Sequence, residues 1–214
     1  MNYSEIIDHL LVVINCNKSN IILLFWVVLL SCEDPISNNP QENEYVNPDD
    51  WVELHNPTNE SIAIGLWEFK NGNDTHVFII PENQVLESGA YLVLCKDSLA
   101  FNDNFPNVSN FIGKFNFGLN GGGELVRLFD AEELPVDEVN YNDSSPWPLE
   151  PDGNGPTLEL IHPSLDNDLG VNWATSDNNG GTPGVVNSVY TADSSNSLVS
   201  GIVINEINYN SADE

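Results

Sequence analysis

The 214-residue sequence predicts an all-β fold, an immunoglobulin-like β-sandwich. Three observations carry this. Short apolar or alternating runs recur from residue 49 onward. Clusters of Gly, Pro, Asn and Asp separate them, the residues that end strands and form turns. Outside the first 32 residues no stretch shows the 3.6-residue periodicity of an amphipathic helix. Seven or more short strands in about 120 residues fit a two-sheet sandwich.

The strands follow in order. DWVELH at 50–55 alternates and stops at Asn56 and Pro57. Residues 61–69 form a second run, broken by Gly65 and ended by Asn71 and Gly72. Residues 76–80 are a third, stopped by Pro81. AYLVLC at 90–95 follows the turn residues Glu87, Ser88 and Gly89, and 111–117 is a fifth strand. Gly121, Gly122 and Gly123 open a turn, after which 124–129 and 136–141 read as strands six and seven. Residues 158–161 are a short late strand.

Ahead of this body lies a leader. Residues 21–30 (IILLFWVVLL) are an unbroken apolar run of ten, where a membrane-spanning helix needs about 20. The run follows Lys18 and ends in LLSC at 29–32, the pattern of a secretory signal with a small residue before the cut. LLSC also resembles the lipobox of bacterial lipoproteins. That resemblance implies cleavage before Cys32 and lipidation of its thiol, anchoring the mature chain to the bacterial outer membrane or cell surface. An ordinary signal peptide with an incidental cysteine is the alternative. Residues 33–44 are a polar tether with nothing to build a core.

Composition excludes some partners. The chain carries 33 acidic and 5 basic residues, a net charge of −28. Nucleic-acid affinity comes largely from Lys and Arg neutralising phosphates, so nucleic acid is excluded as a partner. The acidity fits a self-repelling soluble surface, or one that gathers divalent cations. Of the three cysteines, Cys16 and Cys32 lie in the leader. Cys95 is then alone in the body and reads as a small buried hydrophobe.

Several motifs resemble, in order, those of bacterial lamin-tail domains. They are DDWVELHNP at 49–57, GLWEF at 65–69, GAYLVL at 89–94, FGLNGGGELV at 117–126 and VDEVNY at 136–141. LEL at 158–160, Asp166-Asn167, Asn172-Trp173 and GGTPG at 180–184 resemble the extension common in bacterial members. The resemblance covers 45–187 and implies an immunoglobulin-like, non-catalytic domain. Relatives often sit beside extracellular hydrolases or spore-coat-kinase-like domains.

One strand is out of place. The family ordinarily begins with a strand like INEINY, yet here that strand stands at the end, GIVINEINYN at 201–210. A linker at 188–200 precedes it. Either 201–214 starts a second repeat, or it folds back and fills the vacant slot of the first domain. An open sheet edge attracts a strand because its N–H and C=O groups need partners, so pairing with this domain is expected.

Chemical signals are sparse. His9, His55, His76 and His162 show no ligand-like spacing, and no nucleophile elbow or phosphate-binding loop occurs. Asp152 and Asn154, Asp166 and Asp168, and Asp177 and Asn179 place oxygen donors at i and i+2 in loops. Calcium prefers six to eight such oxygens, so calcium is a candidate cofactor, although turns favour the same residues. Trp147 and Trp173 are candidates for an aromatic surface that meets a sugar or peptide, with core packing as the plainer reading. The expected function is a non-catalytic cell-surface binding or scaffolding module, with an unknown protein or glycan ligand. The alternatives are an accessory domain of a larger extracellular hydrolase or spore-coat-kinase-like protein, and a calcium-dependent adhesion domain.

Overall fold

The computed structural model describes residues 48–192 and 201–209. The leader, Cys32, the tether and most of the linker lie outside the described residues.

Among the described residues there are three sheets. The largest has six strands: β1 (Trp51–His55), β6 (Tyr91–Cys95), β7 (Phe111–Gly113), β10 (Pro156–Leu160), β11 (Trp173–Asn179) and β12 (Val203–Asn208), in the order β11-β10-β12-β1-β6-β7. The second has four: β3 (Glu68–Lys70), β4 (Val77–Ile79), β8 (Gly123–Phe129) and β9 (Pro135–Asn142), in the order β4-β3-β8-β9. β2 (Ile62–Ala63) and β5 (Val85–Leu86) make a small two-stranded sheet. This is a β-sandwich of immunoglobulin type, as the alternating runs predict.

The alternation of each strand divides its side chains between two faces. Val52 and Leu54 of β1, Leu92 and Leu94 of β6, and Leu158 and Leu160 of β10 point into the sandwich. There they share one core with Phe69, Val126, Leu128, Val139 and Tyr141 of the second sheet. The other face of the large sheet is buried too. At one end Trp51, Val93 and Cys95 pack with Phe101, Phe105, Val108 and Phe111. Phe101 belongs to α1 (Ser98–Asn104), capped by Asp97, whose carboxylate accepts from the Leu99 and Ala100 N–H groups.

The C-terminal strand is an interior member of the large sheet. β12 runs antiparallel to β1, with Trp51 opposite Asn208 and His55 opposite Val203. On its other side it pairs with β10, Leu158 opposite Ile207. Tyr209, just beyond β12, is buried against Tyr141 of β9, their rings 4.6 Å apart. The vacant slot is therefore filled from the end of the chain.

The structure departs from the sequence expectation at several places. Residues 61–69 are not one strand: β2 and β3 belong to different sheets. The chain turns between them at Gly65 and Leu66. Leu66 has φ 67°, and a Cβ at Gly65 would lie 1.8 Å from the Glu82 carbonyl oxygen. The strand expected over 111–117 is only β7, which runs parallel to β6, while Phe115 and Phe117 go into the core. Residues 98–104 form the helix α1, where none was expected. Residues 173–179 form β11, a strand the polar sequence WATSDNN does not announce.

Candidate functional site

A cavity of about 570 Å³ opens at the His55 end of the large sheet, on its outer face. Four interior strands supply it: His55 from β1, Tyr91 from β6, Leu160 from β10 and Asn205 from β12. The loop Pro57–Asn59 and the segment containing His162 and Ser164 form two further walls. Val186, Asn187 and Tyr190 close the remaining side.

Two stacked ring pairs flank the cavity. His55 lies on Tyr91 with centroids 4.2 Å apart and planes within 11°. His162 lies on Tyr190 at 5.2 Å. His55 is 8% exposed and its Nδ1 is buried with no hydrogen-bond partner. Burial lowers its pKa to about 4, because the charged form loses its hydration. The ring is therefore neutral at physiological pH. Burial also pushes the Tyr91 hydroxyl up to about 12, aided by the nearby Glu53. The His162 Nδ1 meets both the Ser164 N–H (3.1 Å) and the Ser164 hydroxyl (2.7 Å). That contact spans two residues and shapes the turn.

The walls are held by buried amides. The Asn56 Nδ2 donates to the Glu60, Leu86 and Glu87 carbonyls, and its Oδ1 accepts from the Thr58 N–H and hydroxyl. This fixes the loop that carries Thr58 and Asn59. The Asn187 Nδ2 donates to the Leu160 and Asn205 carbonyls, and the Asn205 Nδ2 donates to the Asn187 Oδ1 at 2.7 Å. Asn187 thereby ties the last wall to β10 and β12.

Beside the cavity lies a row of carboxyl groups. Glu53, Glu206 and Glu159 stand opposite one another on β1, β12 and β10, each fully buried. A strap, residues 181–189, covers them. Its Gly184 N–H donates to Glu53, its Thr182 N–H to Glu206 (3.0 Å) and its Val189 N–H to Glu159 (3.1 Å). The Thr182 and Ser188 hydroxyls also donate to Glu159 (both 2.7 Å). Gly181 is required for this close approach: its φ is +75°, and a Cβ there would lie 1.8 Å from the Glu206 Oε1. Desolvation raises Glu53 to about 8 and Glu206 well above the ordinary carboxylate value, and the neighbouring carboxyls add to both shifts. Glu206 Oε1 accepts from the Thr157 hydroxyl and the Thr182 N–H, whereas its Oε2 has no partner. A proton on Oε2 removes the charge that burial disfavours.

A family model for the Lamin Tail Domain matches residues 33–143. The chain belongs to the lamin tail domain family. The match takes in β1 through β9, including the ordered motifs from DDWVELHNP onward. In this lamin tail domain, β10, β11, the strap and β12 lie beyond the matched span, and the cavity residues Leu160, His162, Ser164, Asn187, Tyr190 and Asn205 come from that part of the chain. Domains of this immunoglobulin-like kind are generally non-catalytic. No curated protein is matched by the chain.

The residues singled out from sequence fall elsewhere. Trp147 and Trp173 are 9% and 3% exposed, lie in the main core and stand 6.1 Å apart. The Trp173 Nε1–H donates to the Asn167 carbonyl at 2.7 Å. They are packing residues under the 144–172 segment, which corrects the reading of an aromatic surface. Several of the candidate calcium donors are engaged with other protein groups. The Asp166 Oδ1 accepts from the Asp168 N–H, and the Asp168 Oδ1 from the Asn140 N–H. Asn154 donates to the Asp152 carbonyl, while Asn179 lies against Gly155 and the Asp177 N–H donates to Ser188. Among the described residues no three His, Cys, Asp or Glu side chains group so as to hold a metal ion. Cys32 lies outside the described residues.

Proposed function

We propose that this lamin tail domain is a non-catalytic binding module, displayed at the bacterial cell surface by a lipid on Cys32. The observation that carries the binding reading is the cavity between the two histidine–tyrosine stacks. Its volume lies within the range of roughly 300–1,000 Å³ usual for ligand sites. It has an apolar lining with a few polar groups, and a neutral, buried imidazole whose Nδ1 lacks a partner. Among the described residues the cavity holds no acid–base pair in contact and no carboxylate on its wall, which favours holding a ligand over transforming one.

The anchoring part of the proposal rests on the leader and LLSC at 29–32. A short apolar run with a cysteine at its end suits export and lipidation better than spanning.

Crystals soaked in phenol and isopropanol test the binding reading without assuming a natural ligand. Both probes are expected to collect between Tyr91 and Tyr190. Probes that settle only elsewhere on the surface would overturn the cavity as a binding site. Metabolic labelling with palmitate tests the anchor: the full chain is expected to take label and Cys32→Ala to lose it. Equal labelling of both proteins would contradict the assignment.

A further inference from the structure

We propose that the cavity takes a neutral saccharide, with the His55–Tyr91 and His162–Tyr190 stacks against its C–H faces and the surrounding amides and hydroxyls on its hydroxyl groups. This rests on the cavity being a binding site, and adds what the site selects.

Charge narrows the ligand first. Among the described residues no Asp, Glu, Lys or Arg lines the cavity. An anion would find no cationic partner in the wall, inside a chain of net charge −28. An ammonium group would give up its hydration without a carboxylate to replace it. The ligand that loses least on entry is uncharged.

Hydrogen bonding narrows it again. Thr58, Asn59 and Ser164 place polar side chains around the mouth, and a ligand hydroxyl, which both donates and accepts, can meet each of them. Against these stand flat or branched apolar surfaces from Tyr91, Tyr190 and Val186. A ligand that matches both sets must alternate C–H faces with hydroxyls around a compact ring. That is the surface of a neutral sugar.

A peptide fits less well. Extended peptides are commonly captured by adding a strand to a free sheet edge. The strands that supply the cavity, β1, β6, β10 and β12, are all interior, with neighbours on both sides. A peptide therefore has no free sheet edge to join there.

The test is an NMR titration of the full chain. The ring protons of His55, Tyr91, His162 and Tyr190 are followed while neutral methyl glycosides of glucose, galactose, mannose and N-acetylglucosamine are added. A matched methyl glucuronide, a neutral N-acetyl dipeptide amide and a neutral tetrasaccharide complete the set. At least one neutral glycoside is expected to shift these signals saturably. The glucuronide and the dipeptide are expected to bind at least tenfold more weakly. Tetrasaccharide binding tighter than the monosaccharide assigns the site to a glycan chain, and equal binding to a free sugar or chain end; both support a saccharide. Tyr190→Ala, at an exposed position (45%), is expected to weaken binding about tenfold while the fold is kept, and Tyr91→Ala to weaken it further. Tighter binding of the glucuronide or dipeptide, or no shift with any glycoside, would overturn the saccharide assignment. If phenol and isopropanol still occupy the cavity, that failure concerns the ligand class alone; if they do not, the binding site itself falls.

Discussion

Glu53 on β1 stands directly opposite Glu206 on β12, and both side chains are fully buried. Two ionised carboxylates at such a place would face both desolvation and mutual repulsion. Burial raises both, Glu53 to about 8. The folded state therefore retains protons that the unfolded chain releases.

The pH dependence of stability follows from these shifts. Glu53 moves from 4.5 to about 8, so its favourable contribution is complete below 4.5 and is lost as pH rises toward 8. Glu206 acts in the same direction. His55 moves from 6.5 to about 4, so its contribution is present above 6.5 and is lost as pH falls toward 4. The two slopes oppose each other between 4.5 and 6.5. Above 6.5 the carboxyl groups act alone. Stability is expected to fall by about 2 kcal/mol per released proton between pH 6.5 and 8. Urea unfolding across that range measures it, and Glu53→Gln is expected to flatten the slope. A curve that rises from pH 6.5 to 8 would contradict the shifts.

Tyr209 offers a test of the C-terminal packing. Its ring stacks on Tyr141, while its hydroxyl is buried without a partner. Removing the ring in Tyr209→Ala is expected to cost about 3–5 kcal/mol, as for other large buried rings. Tyr209→Phe removes only the unpaired hydroxyl and is expected to be neutral or to stabilise by about 1 kcal/mol. Denaturant midpoints of the two variants decide between a packed and a peripheral residue.

Cys95 is buried, and its thiol is pushed up to about 11, chiefly by burial. The thiolate is the reactive form, so thiol reagents are expected to label Cys95 only on unfolding. Labelling in native buffer at the rate of a free thiol would contradict its place beneath α1.

The Asp166 and Asp168 carboxylates accept from backbone N–H groups, and among the described residues no three His, Cys, Asp or Glu side chains group to hold a metal ion. Melting in calcium and in chelator is accordingly expected to give the same midpoint. A rise with calcium would contradict this and favour the calcium-dependent adhesion reading.

The strands were legible wherever alternation met a turn signal: β1, β6, β8 and β9 fall within the expected runs, give or take a residue or two. α1 escaped because seven residues show too little periodicity, and its signal was the cap at Asp97. β11 escaped because a polar edge strand buries few side chains and needs no apolar alternation. The cavity left no local trace. His55 and His162 stand on separate elements, and only the pairing of β1, β12 and β10 brings their segments together. The burial of Glu53, Glu159 and Glu206 has no counterpart in the sequence pattern. Alternation in WVEL, LEL and INEI assigns Glu53, Glu159 and Glu206 to the solvent side of the sheet. The strap at 181–189 covers that side, and no periodicity announces a strap.

The central claim is that the C-terminal strand completes both the sandwich and the site, since β12 brings Asn205 to the cavity and Glu206 to the carboxyl row. Hydrogen exchange of the full chain, read by mass spectrometry, tests this most directly. Residues 203–208 are expected to exchange as slowly as β1. Exchange of 203–208 at the rate of an unstructured peptide, with β1 still protected, would contradict the account.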